Sequence, residues 1–323
     1  MASAGPLVQS VDCPFGGRSG TIVASEDQVK ARDSHGKPLK DPTEPGAVLS
    51  PVVLTQKGDR QVVAGVFSQT TAGVSWTECG VPTTRGTLLV PDPASTDLMI
   101  TNPDRHDATV SLSLTGPDGS ISGRGLGDIQ IAGGSSLRVP LTVHAPAGIP
   151  ISASFRTSSG RVRMAAVKTG GGPGQEQAAP VEASTSARFG VVPSDQGKVR
   201  LLVSNPSDDR AEVRVDALGE RGRFSVPDGT ASVEPGTTVM LDLSTPLEGQ
   251  HVGLAIHSSV PIMSMIAIEG DKDVAWLTPG TSATHLREAV PAGKLRVVNP
   301  GTAATTIRVK HSQTEEYTAE IPA

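Results

Sequence analysis

Aromatic side chains are nearly missing from this 323-residue chain, which holds two Trp, one Tyr and five Phe. Its core must therefore be built from Val, Leu, Ile and Ala, a palette that suits thin, regular sheets better than a sculpted cavity. Cysteine is equally scarce: Cys13 and Cys79 stand alone. An even pair in a chain that otherwise avoids cysteine favours one structural disulfide and an oxidising, extracytoplasmic setting, two buried free thiols being the alternative. Such a bond closes a loop of about 65 residues and is worth roughly 3–4 kcal/mol. No apolar run approaches the roughly 20 residues that span a bilayer. The start, Met1-Ala-Ser-Ala-Gly, has neither the basic nor the apolar region of a signal peptide. The chain is then either cytosolic or trimmed of an export segment, and the cysteine pair favours the second. Charge is also modest: 28 Lys and Arg against 33 Asp and Glu give a net −5. That balance argues against a nucleic-acid partner and against wholesale disorder.

What the chain does have is glycine (36), proline (26) and period-two alternation. Val110-Ser-Leu-Ser-Leu, Leu137-Arg-Val-Pro-Leu, Val213-Arg-Val-Asp-Ala and Ile307-Arg-Val-Lys all alternate apolar and polar residues, the pattern of a half-buried strand. No amphipathic helix of ten residues emerges. The only three asparagines, Asn102, Asn205 and Asn299, each precede a proline (Pro103, Pro206, Pro300). Each ends an apolar strand: Leu98-Met-Ile-Thr-Asn-Pro, Leu201-Leu-Val-Ser-Asn-Pro and Leu295-Arg-Val-Val-Asn-Pro. Each has a Val-Pro lead-in before it, and a β-branched residue eight positions on: Val110, Val213 and Ile307. Proline forces the residue before it to extended geometry and cannot donate to a ladder, while Asn holds the turn through its side chain. The second halves match as well, Ile131-Ala-Gly-Gly-Ser-Ser-Leu paralleling Val233-Glu-Pro-Gly-Thr-Thr-Val. The unit is about 100 residues, the size of one β-sandwich. The expected architecture is all-β, with tandem antiparallel, immunoglobulin-like β-sandwich modules. A variant module bearing the disulfide occupies 1–83, complete modules 84–184 and 185–282, and a first half-module 283–323. The half-module must have one face covered; packing on its neighbour at 185–282 is favoured over pairing with the first module. Lys168–Gln177 reads as an exposed loop near a boundary.

A search for chemistry returns weak signals. There is no Gly-x-Ser-x-Gly elbow and no His-Glu-x-x-His. Gly190–Val199 lacks phosphate-loop spacing. Ser34-His-Gly-Lys37 fits Ser-x-x-Lys but lies in a polar loop. His251 and His257 share a strand face about 20 Å apart, too far for one metal. Gly270-Asp-Lys-Asp273 lacks the later ligands of a calcium loop and reads as a turn. Lys57-Gly-Asp59 reads as a hairpin turn before an integrin-type tripeptide. Trp76 and Trp276 sit late in their modules and are the only candidates for a sugar-stacking ligand platform; a core or inter-module role suits them better. No catalytic, cofactor-binding or metal residues are expected.

The Cys-Pro start, the Val-Pro lead-ins, the repeated Leu-x-x-x-Asn-Pro strand ends and the Gly-Arg-Val strand near Arg161 together resemble an uncharacterised actinobacterial family of exported, membrane-anchored proteins carrying a domain of unknown function. The resemblance implies an export or anchor segment ahead of this sequence in the full-length protein, placing the modules on the outer face of the membrane. It also implies gene neighbours encoding cell-envelope glycosyltransferases, and hence a membrane glycosyltransferase among candidate partners. The functional expectation is a non-enzymatic scaffold or accessory subunit of the envelope that binds another envelope protein. Second comes a glycan-binding module for envelope polysaccharide, and third an enzyme acting on glycans through a non-standard site.

Overall fold

The computed structural model describes residues 8–13, 21–24, 29–33, 37–41, 52–57, 62–70, 73–170, 174–220, 222–280, 295–310 and 316–322. Ser34–Gly36 and the Gly58-Asp59 pair lie outside them. Among the described residues every long element is a strand, every pairing is antiparallel, and no helix is long and apolar enough to cross a membrane.

Among the described residues the first region has six strands: β1 (Val8–Cys13), β2 (Thr21–Ala24), β3 (Lys30–Asp33), β4 (Val52–Lys57), β5 (Ala64–Thr70) and β6 (Gly73–Glu78). They form two three-stranded sheets, β1-β4-β3 and β2-β5-β6, sharing a small aliphatic core of Val11, Ile22, Val52, Leu54 and Val66. A disulfide joins Cys13, the last residue of β1, to Cys79, just after β6. Beside it Asp12 and Gly80 exchange both backbone hydrogen bonds, at 2.8 and 2.9 Å.

The second region runs β7 (Arg85–Val90), β8 (Thr96–Thr101), β9 (Ala108–Gly116), β10 (Gly119–Ile121), β11 (Ile129–Ile131), β12 (Ser136–Pro140), β13 (Ile151–Ser159), β14 (Arg163–Lys168) and β15 (Gln177–Ala178). One sheet is ordered β10-β9-β13-β7 with β11 also on β9, the other β12-β8-β14-β15. Alternation decides what faces the space between them: Ala108, Val110, Leu112 and Leu114 of β9 are buried while intervening Thr and Ser are not.

The third region repeats the plan: β16 (Ser184–Pro193), β17 (Lys198–Asn205), β18 (Ala211–Gly219), β19 (Gly222–Val233), β20 (Thr237–Asp242), β21 (His251–Glu269) and β22 (Val274–Leu277). Here one 19-residue strand, β21, replaces the separate β13 and β14. Its first part pairs with β16 and β18, its last with β17 and β22, so it belongs to both sheets. The turn into β12 and its counterpart into β20 each need a left-handed residue, Gly134 (φ 69°) and Gly236 (φ 62°). A last hairpin comprises β23 (Thr305–Lys310) and β24 (Glu316–Ile321).

Main-chain ladders largely stay within each region, but the hydrophobic core does not. Leu201 and Val203 of β17 point into the third region's own core, whereas Leu202, with Met263, Met265 and Trp276, joins the core of β7–β15. Thr238 Oγ1 donates across the same seam to Ser152 Oγ at 3.1 Å, both side chains being buried. β17 is thus buried on both faces, and the second and third regions are welded rather than strung on a linker. The segment expected as an exposed loop corrects in the same direction. Gln175, Glu176, Gln177 and Ala178 are buried; the Glu176 carboxylate accepts from the Trp276 amide of the third region, and Gln175 Nε2 donates to the Ser68 carbonyl of the first.

Candidate interaction site

The three Asn-Pro turns are one device built three times. Asn102 Nδ2 donates to the carbonyls of His106 (2.8 Å) and Ile131 (3.0 Å), while its Oδ1 accepts from the Asp104 amide at 3.1 Å. Asn205 bonds in the same way to Asp209 (2.8 Å) and Val233 (3.0 Å), and to the Ser207 amide at 3.0 Å. Asn299 does so to Ala303 (2.8 Å) and Ile321 (3.4 Å), and to the Gly301 amide at 3.0 Å. The proline leaves each turn with no competing amide at its second position, and the Asn side chain ties the turn to the carbonyl closing the next hairpin. Register follows: Ile131 pairs with Ala108, Val233 with Ala211 and Ile321 with Thr305, each six residues past its Asn. Residues 295–309 therefore correspond position for position to 98–112 and 201–215, while the stretch up to the closing carbonyl is shorter, 22 residues from the Asn against 29 and 28.

That alignment exposes a difference. Leu98 and Leu201, four residues before their Asn, are 0% exposed; Leu295 in the same place is 67% exposed. Ile100 and Val203 are 0% exposed, Val297 38%. Val110 and Leu112, like Val213 and Val215, are buried, while Ile307 and Val309 are half-buried. Tyr317, cross-strand from Val309, is 62% exposed. In the complete repeats β12 and β14 flank β8, β13 lies beside β9, and β20 and β21 do the same for β17 and β18. Among the described residues the β23–β24 hairpin stands as a two-stranded sheet with no such strand against it.

The half-repeat is seated on the third region by the alternate side chains. Val298 lies against Gly253, where even a Cβ would come within 2.8 Å of its methyl groups. Arg223 Nη2 donates to the Pro300 carbonyl at 3.4 Å. Arg296 Nη1 donates to His251 Nδ1 at 2.9 Å, and the other ring nitrogen, 2.8 Å from Asp195 Oδ1, carries the proton. A cleft of about 440 Å³ remains between the two, lined in part by Leu218, His251, Val297 and Ile321. Of the inward-type residues, Val297 lines that cleft while Leu295, 67% exposed, lies outside it.

The other singled-out residues are structural in their surroundings. Trp276 is buried in the core between second and third regions. Trp76 is half-buried and lies over Gly65, where an added Cβ would come within 2.2 Å of the ring. Sequence reading missed what joins these two tryptophans. The Glu176 carboxylate sits between them, accepting from the amides of Gln177 (2.8 Å) and Trp276 (3.4 Å) and from the backbone of Trp76. Burial pushes its pKa up to about 8, with nearby Asp273 adding to the shift and the three amides opposing it. Asp273 itself accepts from Val74 of β6 at 3.4 Å, so Gly270–Asp273 is a hairpin turn that also touches the first region. Lys168, also buried, donates to the Gly170 carbonyl at 2.8 Å. A second buried charge, Asp12, lies between first and second regions near Arg161, Arg163 and Asp104. Burial raises its pKa to about 7 against the pull of the two arginines. His257 lies 3.8 Å from Asp216 and apart from His251's contacts, and burial lowers its pKa. Among the described residues no three His, Cys, Asp or Glu side chains are placed to hold a metal.

Comparison with known proteins adds a family but no activity. No curated protein matches the sequence. Among solved structures the chain is similar to an α-L-rhamnosidase of Streptomyces avermitilis complexed with L-rhamnose, at 11% identity and a TM-score of 0.21. The match covers 83% of this chain and 38% of that one, so the chain spans well under half the length of that protein. At that similarity it carries no argument about fold or chemistry. Residues 41–320, which take in all three Asn-Pro turns, match the model of the Family of unknown function (DUF5719), and the chain belongs to that family.

Proposed function

We propose that this protein is a non-enzymatic, extracytoplasmic scaffold of the cell envelope that binds another envelope protein through its last half-repeat. One observation carries the reading: Leu295 and Val297 are exposed at positions where both complete repeats bury the same residue type completely. A row of exposed inward-type residues beside a sheet edge that is unpaired among the described residues is a surface built to be covered. The rest of the molecule supplies a rigid base, since the second and third regions share one core. The disulfide supports the extracytoplasmic placement. The glycan-binding alternative rested on Trp76 and Trp276, and a sugar platform needs an open ring face, which buried Trp276 does not offer. The test is site-specific photocrosslinking in the native envelope. A probe at Leu295 captures a discrete protein adduct, whereas a probe at Val143, 72% exposed but outside the half-repeat, does not. Adducts of equal yield at both sites, or at neither, overturn the reading.

A further inference from the structure

We propose that the edge of β23 left unpaired among the described residues accepts, by antiparallel β-addition, an extended segment of another protein in which apolar residues alternate with acidic ones. This deepens the scaffold reading and rests on it.

The geometry of the missing strand can be read from the complete repeats. The free edge of β23 corresponds to the edge of β9 held by β13 and to the edge of β18 held by β21. There Phe155 pairs with Leu112 and Ile256 with Val215, both ten residues past the Asn. The matching position in the half-repeat is Val309, so the incoming strand carries an apolar residue opposite it, with side chains two residues apart on the same face. The intervening positions set the charge. Nine residues past the Asn the complete repeats have Ser111 opposite Arg156 and Arg214 opposite His257. The half-repeat has Arg308 there and Lys310 two residues on, on the face away from Ile307 and Val309. Arg308's present partner, Glu316, is 3.8 Å away, with 78% and 49% of the two side chains exposed. That is a loose surface pair, which leaves the guanidinium free to take a carboxylate across the strand.

The same charges exclude a second copy of this chain. Antiparallel pairing of β23 with itself centred on Val309, which sets apolar against apolar, brings Arg308 opposite the other copy's Lys310 twice over, and like charges across a pair destabilise it. Exchange of a later half-repeat between copies would set Arg156 or His257 opposite Arg308, which is no better. Basic residues on an open edge are a standard guard against self-pairing. A cationic edge alternating with an apolar face instead selects a strand of alternating apolar and acidic residues.

The experiment uses the intact chain and three labelled nine-residue peptides: alternating Val and Glu, alternating Val and Lys, and alternating Ser and Glu. Binding is read by fluorescence anisotropy, and at the site by the ¹⁹F resonance of fluorotyrosine, since Tyr317 is the only tyrosine. The Val-Glu peptide is expected to bind saturably and shift the ¹⁹F signal. The Val-Lys peptide binds roughly tenfold more weakly, from two reversed cross-strand pairs. The Ser-Glu peptide does not bind. The Arg308→Glu/Lys310→Glu variant reverses the preference, and because it keeps both apolar residues its folding is checked by an unchanged melting curve. Equal binding of the two Val peptides, or no saturable binding of Val-Glu up to about 1 mM, overturns the proposal. So does a concentration-dependent dimer that the double variant changes in sedimentation. Crosslinking at Leu295 remains independent: capture there with failure of all peptides rejects the strand class alone, whereas no capture rejects the docking role itself.

Discussion

At the scale of single residues, three asparagines do most to set the register of the repeat. Asn102 and Asn205 are buried, and each holds one buried carbonyl, of Ile131 or Val233, that has no water to turn to, besides a part-buried one in the turn. Asn102→Ala and Asn205→Ala should each lower unfolding free energy by about 2–3 kcal/mol, as expected when buried acceptors lose their donor. Asn299→Ala should cost about 1 kcal/mol or less, because its carbonyls lie near solvent and rehydrate. Urea unfolding of the three variants measures the order, and an equal loss for all three would contradict it. The local half of this device was legible in the sequence, since Asn-Pro dictates a strand end and a side-chain-held turn. The far half was not: the second carbonyl lies 29, 28 and 22 residues onward, at a place only strand register can fix.

At the scale of elements, alternation revealed most strands, and it failed where an element is buried on both faces. Leu201-Leu202-Val203 reads the same whether one side or both are covered, so the shared core of the second and third regions stayed hidden. Residues 174–178 were misread for the opposite reason. Gly, Gln and Glu are loop composition, and a buried Glu176 is made tenable by the amide of Gln177 together with those of Trp276, 100 residues away in sequence, and Trp76. The tryptophans report on that junction. With Trp76→Phe, the remaining Trp276 should emit at short wavelength and resist quenching by acrylamide; red, freely quenched emission would place it at the surface. The disulfide acts on a different element set. It spans 66 residues and ties β1 to the end of β6, around the smallest of the three cores. Replacing both cysteines by Ser should cost roughly 3–4 kcal/mol. Hydrogen-exchange protection should fall first in β1–β6, and a uniform loss across all strands would show that this sheet pair has no stability of its own.

At the scale of the whole molecule, the regions meet over two buried carboxyls, and that makes the assembly sensitive to alkali. Glu176 lies where all three regions converge, facing Asp273 and near Lys168; Asp12 lies between the first two, facing Arg161, Arg163 and Asp104. Asp12 Oδ1 is buried without a hydrogen-bond partner among the described residues, as fits a protonated acid better than an ion. In both groups the folded state holds its proton more tightly than the unfolded chain, with pKa values of about 8 against 4.5 for Glu176 and about 7 against 3.8 for Asp12. Between each pair of values the native state binds more protons than the unfolded state, so stability declines as pH rises and levels off above the folded value. The melting temperature should therefore fall from pH 5 towards pH 8, opposite to the trend set by salt-bridged surface carboxylates. Glu176→Gln keeps an oxygen for the Trp276 amide and has no proton to lose, so it should flatten the upper part of the decline and raise the melting temperature at pH 8.5 relative to the parent. Asp12→Asn should flatten the part below about pH 7. A parent profile that rises from pH 5 to pH 8, or a Gln variant whose slope matches the parent's, would mean that the three-region junction holds Glu176 as an ion and that its amides outweigh its burial.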